Sequence, residues 1–570
     1  MVQAIQALGL RYIAMNPGSS FRGLHDSLVN FGGGSPAMLT CPHETVAVEL
    51  AHGYAKACGE PMAVILHDVV GLLHGAMGIY YAHVDRAPVV VLGGAGPMAL
   101  ERRRPNIDWI HTANVQGNAV RDFTKWDDQP ASIQAVPEVL ARAYRVAMSE
   151  PRGPVYVALD AGLQEEPLEA EVQLPAFDRL GVPSRLAPEP AGLERLARGL
   201  VEAQRPVLVT GYAGRDPAAF DQLVALAELL GAGVVDTNLR LSFPNRHPLN
   251  VTGAGGPLEE ADVVCFVDVK DMGKPTQTLD SAARRVRSRL APGTTILDLG
   301  FNDLGISAWS HDFAALHETD IQVTADTSVA LPLLLEACRR LEATQPERRD
   351  SRELRSAELT AAHDATWARW RSEAEADWDG TPVSTARLAG EVWEAVREHD
   401  WVLSAGTAAG WALRTWDFDR AYRHPGASLG TATQIGISLG VALAHRDAGR
   451  LVVDLQPDGD LMFHLSALWV AAHHSIPMLV VTFNNRAYYN DWEHQERMAR
   501  ERGTPLENAS AGMELDRPAP DFAGVARSLG WWAEGPVEEP SQLAVALRRG
   551  VEEVVSNRRP ALVDVVCRNR

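Results

Sequence analysis

The chain is predicted to be an α/β protein of three open parallel-sheet units, and two observations carry that prediction. Short apolar runs of strand length alternate with helix-period patterns along most of the sequence. Strands separated by helices cannot close as hairpins, so they pair in parallel and are covered on both faces. The alternation breaks twice, in a Pro/Glu-rich stretch at roughly 161–192 and a highly charged stretch at 341–382. These breaks divide 570 residues, more than one core normally fills, into three blocks of ordinary domain size.

The first block, 1–170, holds the strand-like runs AVIL (63–66) and APVVVLG (87–93). Between them lies TVAVELAHGYAKA, where Val46, Leu50 and Tyr54 recur every fourth residue and form the apolar stripe of a helix. The second block, 193–340, runs through RPVLVT (205–210), VVDTN (234–238), ADVVCFVDV (261–269) and TTILDLG (294–300), whose near-continuous apolar character predicts burial on both faces. The segment 341–382, with its run ERRDSRELRSAELTAAHDATWARWRSEAEADWDG, is expected to be a linker or a surface helix. The third block, 383–570, opens with a helical pattern and then gives WVLSAG, RLVVDLQ, PMLVVTF and ALVDVVC (561–567).

Composition narrows the class. With 53 Lys+Arg against 73 Asp+Glu the formal charge is −20, which argues against a broad nucleic-acid or anionic-membrane surface. The five cysteines (Cys41, Cys58, Cys265, Cys338 and Cys567) show neither a CxxC pair nor metal-ligand spacing, as expected for buried thiols in a reducing cytosol. No leader pattern stands at the N-terminus, and no run approaches the roughly 18 apolar residues of a membrane span. A cytoplasmic, soluble protein is expected.

The stretch QPDGDLMFHLSALWVAAHHSIPMLVVTFNN carries the clearest chemistry. A strand (451–455) delivers Asp458 just past its carboxyl end. A helix of about four turns is expected next, with apolar residues at 461, 465, 468, 469 and 472, and a second strand stops on Asn484-Asn485. A right-handed crossover puts both strand ends at one edge of the sheet, where open α/β sheets bind ligands and helix amides face anions. Asx residues after strands are also ordinary turn formers. Paired here, a carboxylate, a carboxamide and a nearby carbonyl make a hard oxygen set suited to Mg²⁺ holding a phosphate.

This run resembles the signature of the thiamine-diphosphate-dependent decarboxylase and acetohydroxyacid-synthase superfamily, a Gly-Asp-Gly opening and an Asn-Asn close about thirty residues on. SALW at 466–469 is especially similar to benzoylformate decarboxylase. The resemblance implies three Rossmann-like open parallel-sheet domains: pyrimidine-binding, central and diphosphate-binding. It implies that Asp458, Asn485 and the carbonyl of Ala487 hold Mg²⁺ on the diphosphate of thiamine diphosphate, with Gly459 and Asp460 beside it. Two departures stand out. Pro457 replaces the first motif glycine and lacks an N–H, and Asp460 places a carboxylate where the family has a small hydroxyl residue.

In the first block Glu44 follows AMLTC and opens the striped helix, where an acid is favoured by the helix dipole in any case. HETVAVELAHGYAKA is similar to the family's His-Glu helix, which implies that Glu44 is the acid that activates the cofactor at N1′ of its aminopyrimidine. Asn16-Pro17-Gly18-Ser19 resembles the loop whose serine meets the substrate carboxylate, implying that role for Ser19. His67, 23 residues beyond Glu44, matches the active-site histidine and is the proton-transfer candidate. Asp68 has no counterpart in that enzyme and is expected to tune His67 or select an acceptor. His74 and His83 are expected to be structural. In the third block SAGTAAGW (404–411) resembles the diphosphate loop, with Thr407 the implied contact. In SLGTATQIG (428–436) Ile435 is the implied support under the folded cofactor, with Gln434 and Thr433 still open.

The resemblance implies a carbon–carbon lyase, foremost a 2-oxo acid decarboxylase forming an enamine and releasing an aldehyde. Alternatives are an acetolactate-synthase-like carboligase, a lyase of hydroxyketones or 2-hydroxyacyl thioesters, and a noncatalytic cofactor-binding member of the same fold. Tyr488, Tyr489, Trp492 and His494 are expected either to wall the substrate pocket or to pack a lid. FAD, bound by the central domain in the synthase branch, is possible but not favoured, since GYAGRD (211–216) lacks a full GxGxxG. A homodimer or homotetramer is implied, acting on a small molecule without nucleic-acid or membrane partners.

Overall fold

The computed structural model describes residues 1–280, 285–305, 315–406, 408–427 and 430–569. Its architecture is three parallel sheets in chain order. The first contains β1 (Tyr12–Met15), β2 (Ala37–Thr40), β3 (Met62–Leu66), β4 (Val89–Ala95), β5 (Asp127–Asp128) and β6 (Val155–Asp160), in the order β2-β1-β3-β4-β6-β5. The second contains β7 (Pro206–Thr210), β8 (Gly233–Asp236), β9 (Val263–Val267), β12 (Thr295–Gly300) and β13 (Ile321–Thr324), ordered β13-β12-β9-β7-β8. An antiparallel hairpin, β10 (Gln277–Asp280) with β11 (Arg285–Ser288), is inserted after β9. The third contains β14 (Trp401–Ala405), β15 (Leu451–Pro457), β16 (Leu479–Asn484), β17 (Trp532–Val537) and β18 (Ala561–Val566), ordered β14-β15-β16-β18-β17.

Every pairing within the three sheets is parallel. Apolar strands such as β3 and β16 are buried along their whole length, as two-sided coverage requires. The charged stretch forms a 27-residue helix, Arg349–Glu375. It lies on the central sheet's flank, burying Leu359 and Trp367, with Arg355 donating to the carbonyl of Gly231 and Arg246 stacked 3.6 Å over Trp367. Among the described residues no helix is long and apolar enough to cross a membrane.

Two elements differ from their sequence patterns. The helix predicted after β15 is two pieces, Asp458–Leu461 and Ala467–His473. The turn between them turns Phe463 to solvent and sets the His464 ring 5.4 Å from that of His43 in the first block. The Glu44–Cys58 helix is buried on all sides, not on one stripe. Its second face packs on the Gln434–His445 helix of the third block, and glycines permit the approach. A Cβ on Gly53 would lie 1.9 Å from the carbonyl oxygen of Ile437, and one on Gly440 2.1 Å from that of Leu50.

Of the polar residues buried on that helix, His52 and Lys56 are paired. Glu49, against Gly436, has neither carboxylate oxygen hydrogen-bonded, and burial raises its pKa well above the ordinary carboxylate range. Asp85 receives Lys56 at 2.6 Å and His52 at 2.8 Å, and Arg240 of the central block lies close by. Burial alone would raise the Asp85 pKa, but Arg240, Lys56 and His52 together hold it below the ordinary carboxylate range. Lys56 also donates to the carbonyl of Ala427 and Arg240 to that of Pro425, so one carboxylate ties all three blocks together.

Gly53→Ala should therefore lower the apparent melting temperature. Alanine in an open helix gains about 1 kcal/mol over glycine, but overpacking against a backbone oxygen costs about 1–3 kcal/mol. Gly410→Ala, in a helix with open space around the added Cβ, should leave it unchanged or raise it. Thermal unfolding of the two variants checks the contrast, and equal shifts would contradict the close crossing.

Candidate active site

The third-sheet end of the site is built from the ends of β15 and β16, which are neighbours in register. Asp458 opens the one-turn helix, and its Oδ1 accepts from the Gly459 amide at 2.8 Å. Its Oδ2 is buried and accepts no hydrogen bond. Burial pushes this carboxyl up to about 6, against the pull of the Gly459, Arg486 and Ala487 amides that face it. A buried carboxylate oxygen without a partner is costly unless a cation answers it, and this one faces the loop that follows Asn485.

The two asparagines have different duties. Asn484 donates to Asp564 Oδ1 at 3.0 Å, beside Thr482 at 2.6 Å, and is locked into the sheet. Asn485 is half-buried past the strand end, its Oδ1 receiving the Ala487 amide at 3.2 Å. Arg486 between them takes a left-handed conformation, φ 56°, which reverses the chain. Asp458, Asn485 and Ala487 thus belong to one turn, and a carboxylate, a carboxamide and a carbonyl are oxygen donors of the kind that fits Mg²⁺. The Asp460 carboxylate turns back to the Ala432 amide and the Gln456 side chain, so its charge is already engaged within the protein.

Beside this turn, the Gln434 side chain accepts from the Gly406 amide at 2.8 Å and donates to Asp454 Oδ1 and the Leu455 carbonyl, both at 2.6 Å. Gln434 therefore braces the loop after β14. Thr407 in that loop lies outside the described residues. Thr433 bonds the Gly430 carbonyl, and Ile435 is fully buried in the core shared by the first and third sheets. Tyr488 lies over the turn: a Cβ on Gly459 would come within 2.7 Å of its ring. Tyr489, Trp492 and His494 belong to the Tyr489–Arg502 helix, in which Ala499 is the buried residue.

The first-sheet end is built from the loops after β1, β2 and β3. Glu44, at the start of its helix, is buried, and its Oε2 lies 3.1 Å from His74 Nδ1. His43 caps that helix and stacks on His74 with ring centroids 5.1 Å apart. His74, expected to be structural, is thus the hydrogen-bond partner of the candidate acid. A Cβ on Gly71 would lie 3.0 Å from the His67 Cβ and 3.4 Å from Glu44 Oε1, so these two residues are near neighbours across it.

The Asn16–Ser19 loop sits directly on His67: a Cβ on Gly18 would lie 2.8 Å from the imidazole. The serine that bonds His67 is Ser20, buried, with Oγ 2.7 Å from Nδ1, while Ser19 is exposed. Ser20 Oγ also accepts from the Asp68 amide at 3.1 Å. One hydroxyl thus ties the His67 ring to the backbone of the turn that follows it. His111, absent from the sequence-based candidates, brings its ring to 5.7 Å from His67. It lies in an irregular segment with no periodic signal to mark it. Asp68 is buried beside both imidazoles; burial raises its pKa, and the two histidines oppose the rise.

The GYAGRD turn in the central block is closed by its own protein. A Cβ on Gly214 would lie 1.9 Å from the Leu241 carbonyl oxygen, and Arg215 is held by Asp268 and Asp326.

Comparison with known proteins agrees with this division. Residues 1–119 match the thiamine pyrophosphate enzyme N-terminal TPP binding domain, and residues 404–565 match the C-terminal TPP binding domain. The chain is 25% identical to the acetolactate synthase isozyme 3 large subunit of Escherichia coli, covering 98% of this chain and 92% of that one. It is 25% identical to benzoylformate decarboxylase of Pseudomonas aeruginosa, over 86% and 84%. A solved thiamine diphosphate-dependent 4-hydroxybenzoylformate decarboxylase from Rhodococcus jostii shares the fold, with a TM-score of 0.76, 20% identity, and coverage of 100% of this chain and 98% of that one. With both cofactor-binding domains matched, the chain belongs to the thiamine-diphosphate-dependent decarboxylase and acetohydroxyacid-synthase superfamily of enzymes.

Proposed function

We propose that this enzyme is a thiamine-diphosphate-dependent carbon–carbon lyase that cleaves CO₂ from a 2-oxo acid and releases an aldehyde. The observation that carries the reading is that Glu44 and His67 are near neighbours across Gly71. A Cβ added there would lie 3.0 Å from the His67 Cβ and 3.4 Å from Glu44 Oε1, so an acid and an imidazole-bearing residue stand together at one sheet edge. Asp458, the Asn485 carboxamide and the Ala487 carbonyl hold Mg²⁺ on the diphosphate. Bound thiamine diphosphate supplies the electron sink for the carbon–carbon cleavage. Glu44 holds a proton at the pyrimidine, its carboxylate oriented by His74. Ser20 holds the His67 imidazole, which carries the proton to the product carbon, and His111 stands beside it as a second imidazole.

The similarity to acetolactate synthase over nearly both whole chains favours a second reading, carboligation, in which a second carbonyl compound takes the place of the proton. A screen of 2-oxo acids for CO₂ release, with and without aldehyde or 2-oxo acid acceptors, separates the two: an aldehyde product supports the lyase and a 2-hydroxy ketone the carboligase. A flavin absorbance band in purified protein would favour the second. Self-association as a homodimer or homotetramer and a cytoplasmic location belong to this proposal; sedimentation and fractionation test them.

Two outcomes are expected. Asp458→Ala and Asn485→Ala should each abolish Mg²⁺-dependent binding of thiamine diphosphate, because each removes an inner oxygen from an ion with strict geometry. Calorimetry showing unchanged affinity in both would overturn the metal assignment. Ser20→Ala should lower turnover at least about tenfold and shift its pH profile, forfeiting part of the roughly 10²–10⁴-fold that acid–base groups supply, while Ser19→Ala stays within about twofold. The reverse ranking in steady-state kinetics would overturn the role given to Ser20.

A further inference from the structure

We propose that His67, Asp68 and His111 form a second metal site, separate from the Mg²⁺ turn, which binds a transition-metal dication such as Zn²⁺ or Co²⁺ and, when filled, shuts the enzyme off. The inhibitory half rests on the role given to His67 above; the binding half does not.

One ligand atom from each of the three residues lies within 4.8 Å of the others. His67 Nδ1 and Asp68 Oδ1 are 3.6 Å apart, close to the roughly 3.3 Å between donors on a tetrahedral ion with bonds of about 2.0–2.1 Å. Asp68 supplies the independent sign of a ligand. It is only 2% exposed, and its Oδ1 accepts no hydrogen bond. It stands at the N-cap of the Val69–Val84 helix without a geometric side-chain cap bond. The Val70 amide lies near enough to lower its pKa without bonding Oδ1, so capping leaves that oxygen unanswered. A buried carboxylate oxygen without a donor calls for a cation.

The donors stand on fixed supports. His67 and Asp68 directly follow β3, and the Asp68 amide is held by Ser20. His111 ends the short Asp108–His111 helix, where Asp108 is engaged by the Arg104 amide and guanidinium. Asp108 is thus spent on its own loop and does not compete for the ion.

Donor chemistry separates this site from the first. Two imidazoles and one carboxylate suit Zn²⁺ or Co²⁺ and leave a fourth position for water or a substrate oxygen. The all-oxygen turn at Asp458 suits Mg²⁺. At the second site the ion would displace the Ser20 hydroxyl from Nδ1 and occupy the lone pair that His67 needs to take a proton back, stopping its proton cycle.

The test uses the protein loaded with Mg²⁺ and thiamine diphosphate, titrated with Co²⁺ and followed by visible absorption. Tetrahedral Co²⁺ absorbs far more strongly than octahedral Co²⁺ on oxygen ligands, so exchange at the Mg²⁺ turn does not imitate the signal. An intense band saturating at one ion per chain is expected, displaced by Zn²⁺. His111→Ala and Asp68→Asn should each weaken it by at least about tenfold, and His111→Ala, at a half-buried position, guards against misfolding of the buried variant. His74→Ala should keep the band. Absence of the band, or its survival in His111→Ala, would overturn the site. Its loss in His74→Ala alone would also overturn it, by moving the ion to the His43–Glu44–His74 cluster. Zn²⁺ should inhibit turnover reversibly, restored by a Zn²⁺-selective chelator in excess Mg²⁺. Spectral binding without inhibition would overturn the inhibitory half, and the spectral readout stands whatever reaction the enzyme performs.

Discussion

The crossing of the Glu44–Cys58 and Gln434–His445 helices is the constraint on which the rest of the structure depends. Each helix begins at a functional end, one at Glu44 and the other beside the Ala432 amide that Asp460 engages. Backbone contact at Gly53 and Gly440 sets how closely those ends approach. Such contact is available only where neither helix carries a Cβ, so two glycines do what larger side chains could not. The same approach buries Glu49, His52 and Lys56 on what would otherwise be the polar face of a surface helix. Burying Lys56 and His52 is tolerable because Asp85 gathers them and Arg240 around one carboxylate. Burial drives Glu49 toward its neutral form by raising its pKa well above the ordinary range. The ion pairs fix which blocks meet, and the glycines fix how near.

Within that frame, the site is a division of labour between two sheet edges. The third sheet offers oxygen atoms: a carboxylate with one oxygen unanswered, a carboxamide, and the backbone of the turn reversed at Arg486. The first sheet offers proton-transfer groups: Glu44 with His74, and His67 with Ser20 and His111. The departures from the family motif take on a local meaning. Pro457 ends β15 in an extended conformation, φ −65° and ψ 139°, where its missing N–H falls at the helix start. Asp460 spends its charge on the Ala432 amide and Gln456.

Legibility in the sequence followed the strength of local signals. Asp458 and Asn485 could be read because each ends a buried strand, where turn chemistry and apolar runs coincide. Glu44 could be read because a helix stripe starts at it. Choosing between the two asparagines on physical grounds needed Asp564, which lies 80 residues beyond Asn484 and locks it by a hydrogen bond. The Ser20 bond to His67 is a tertiary contact of a loop residue, which no periodicity marks. His111 stands in an irregular segment, and His74 looked like any histidine on a helix until its carboxylate partner appeared. The paired strands Gln277–Asp280 and Arg285–Ser288 escaped because their residues are all exposed and show no alternation of buried and polar positions. The all-round burial of the Glu44 helix belongs to tertiary packing, which an amphipathic stripe alone underdetermines.

The central claim is that Glu44 activates thiamine diphosphate held on the Asp458–Asn485 turn. Its most direct measurement is exchange of the cofactor's C2 proton, which needs no knowledge of the substrate. Wild type and Glu44→Gln are loaded with Mg²⁺ and thiamine diphosphate, diluted into D₂O, quenched at intervals and read by NMR. The account predicts exchange much faster than in free cofactor for wild type, and a fall toward the free rate in Glu44→Gln with cofactor still bound. No acceleration in wild type, or equally fast exchange in both proteins, would contradict it.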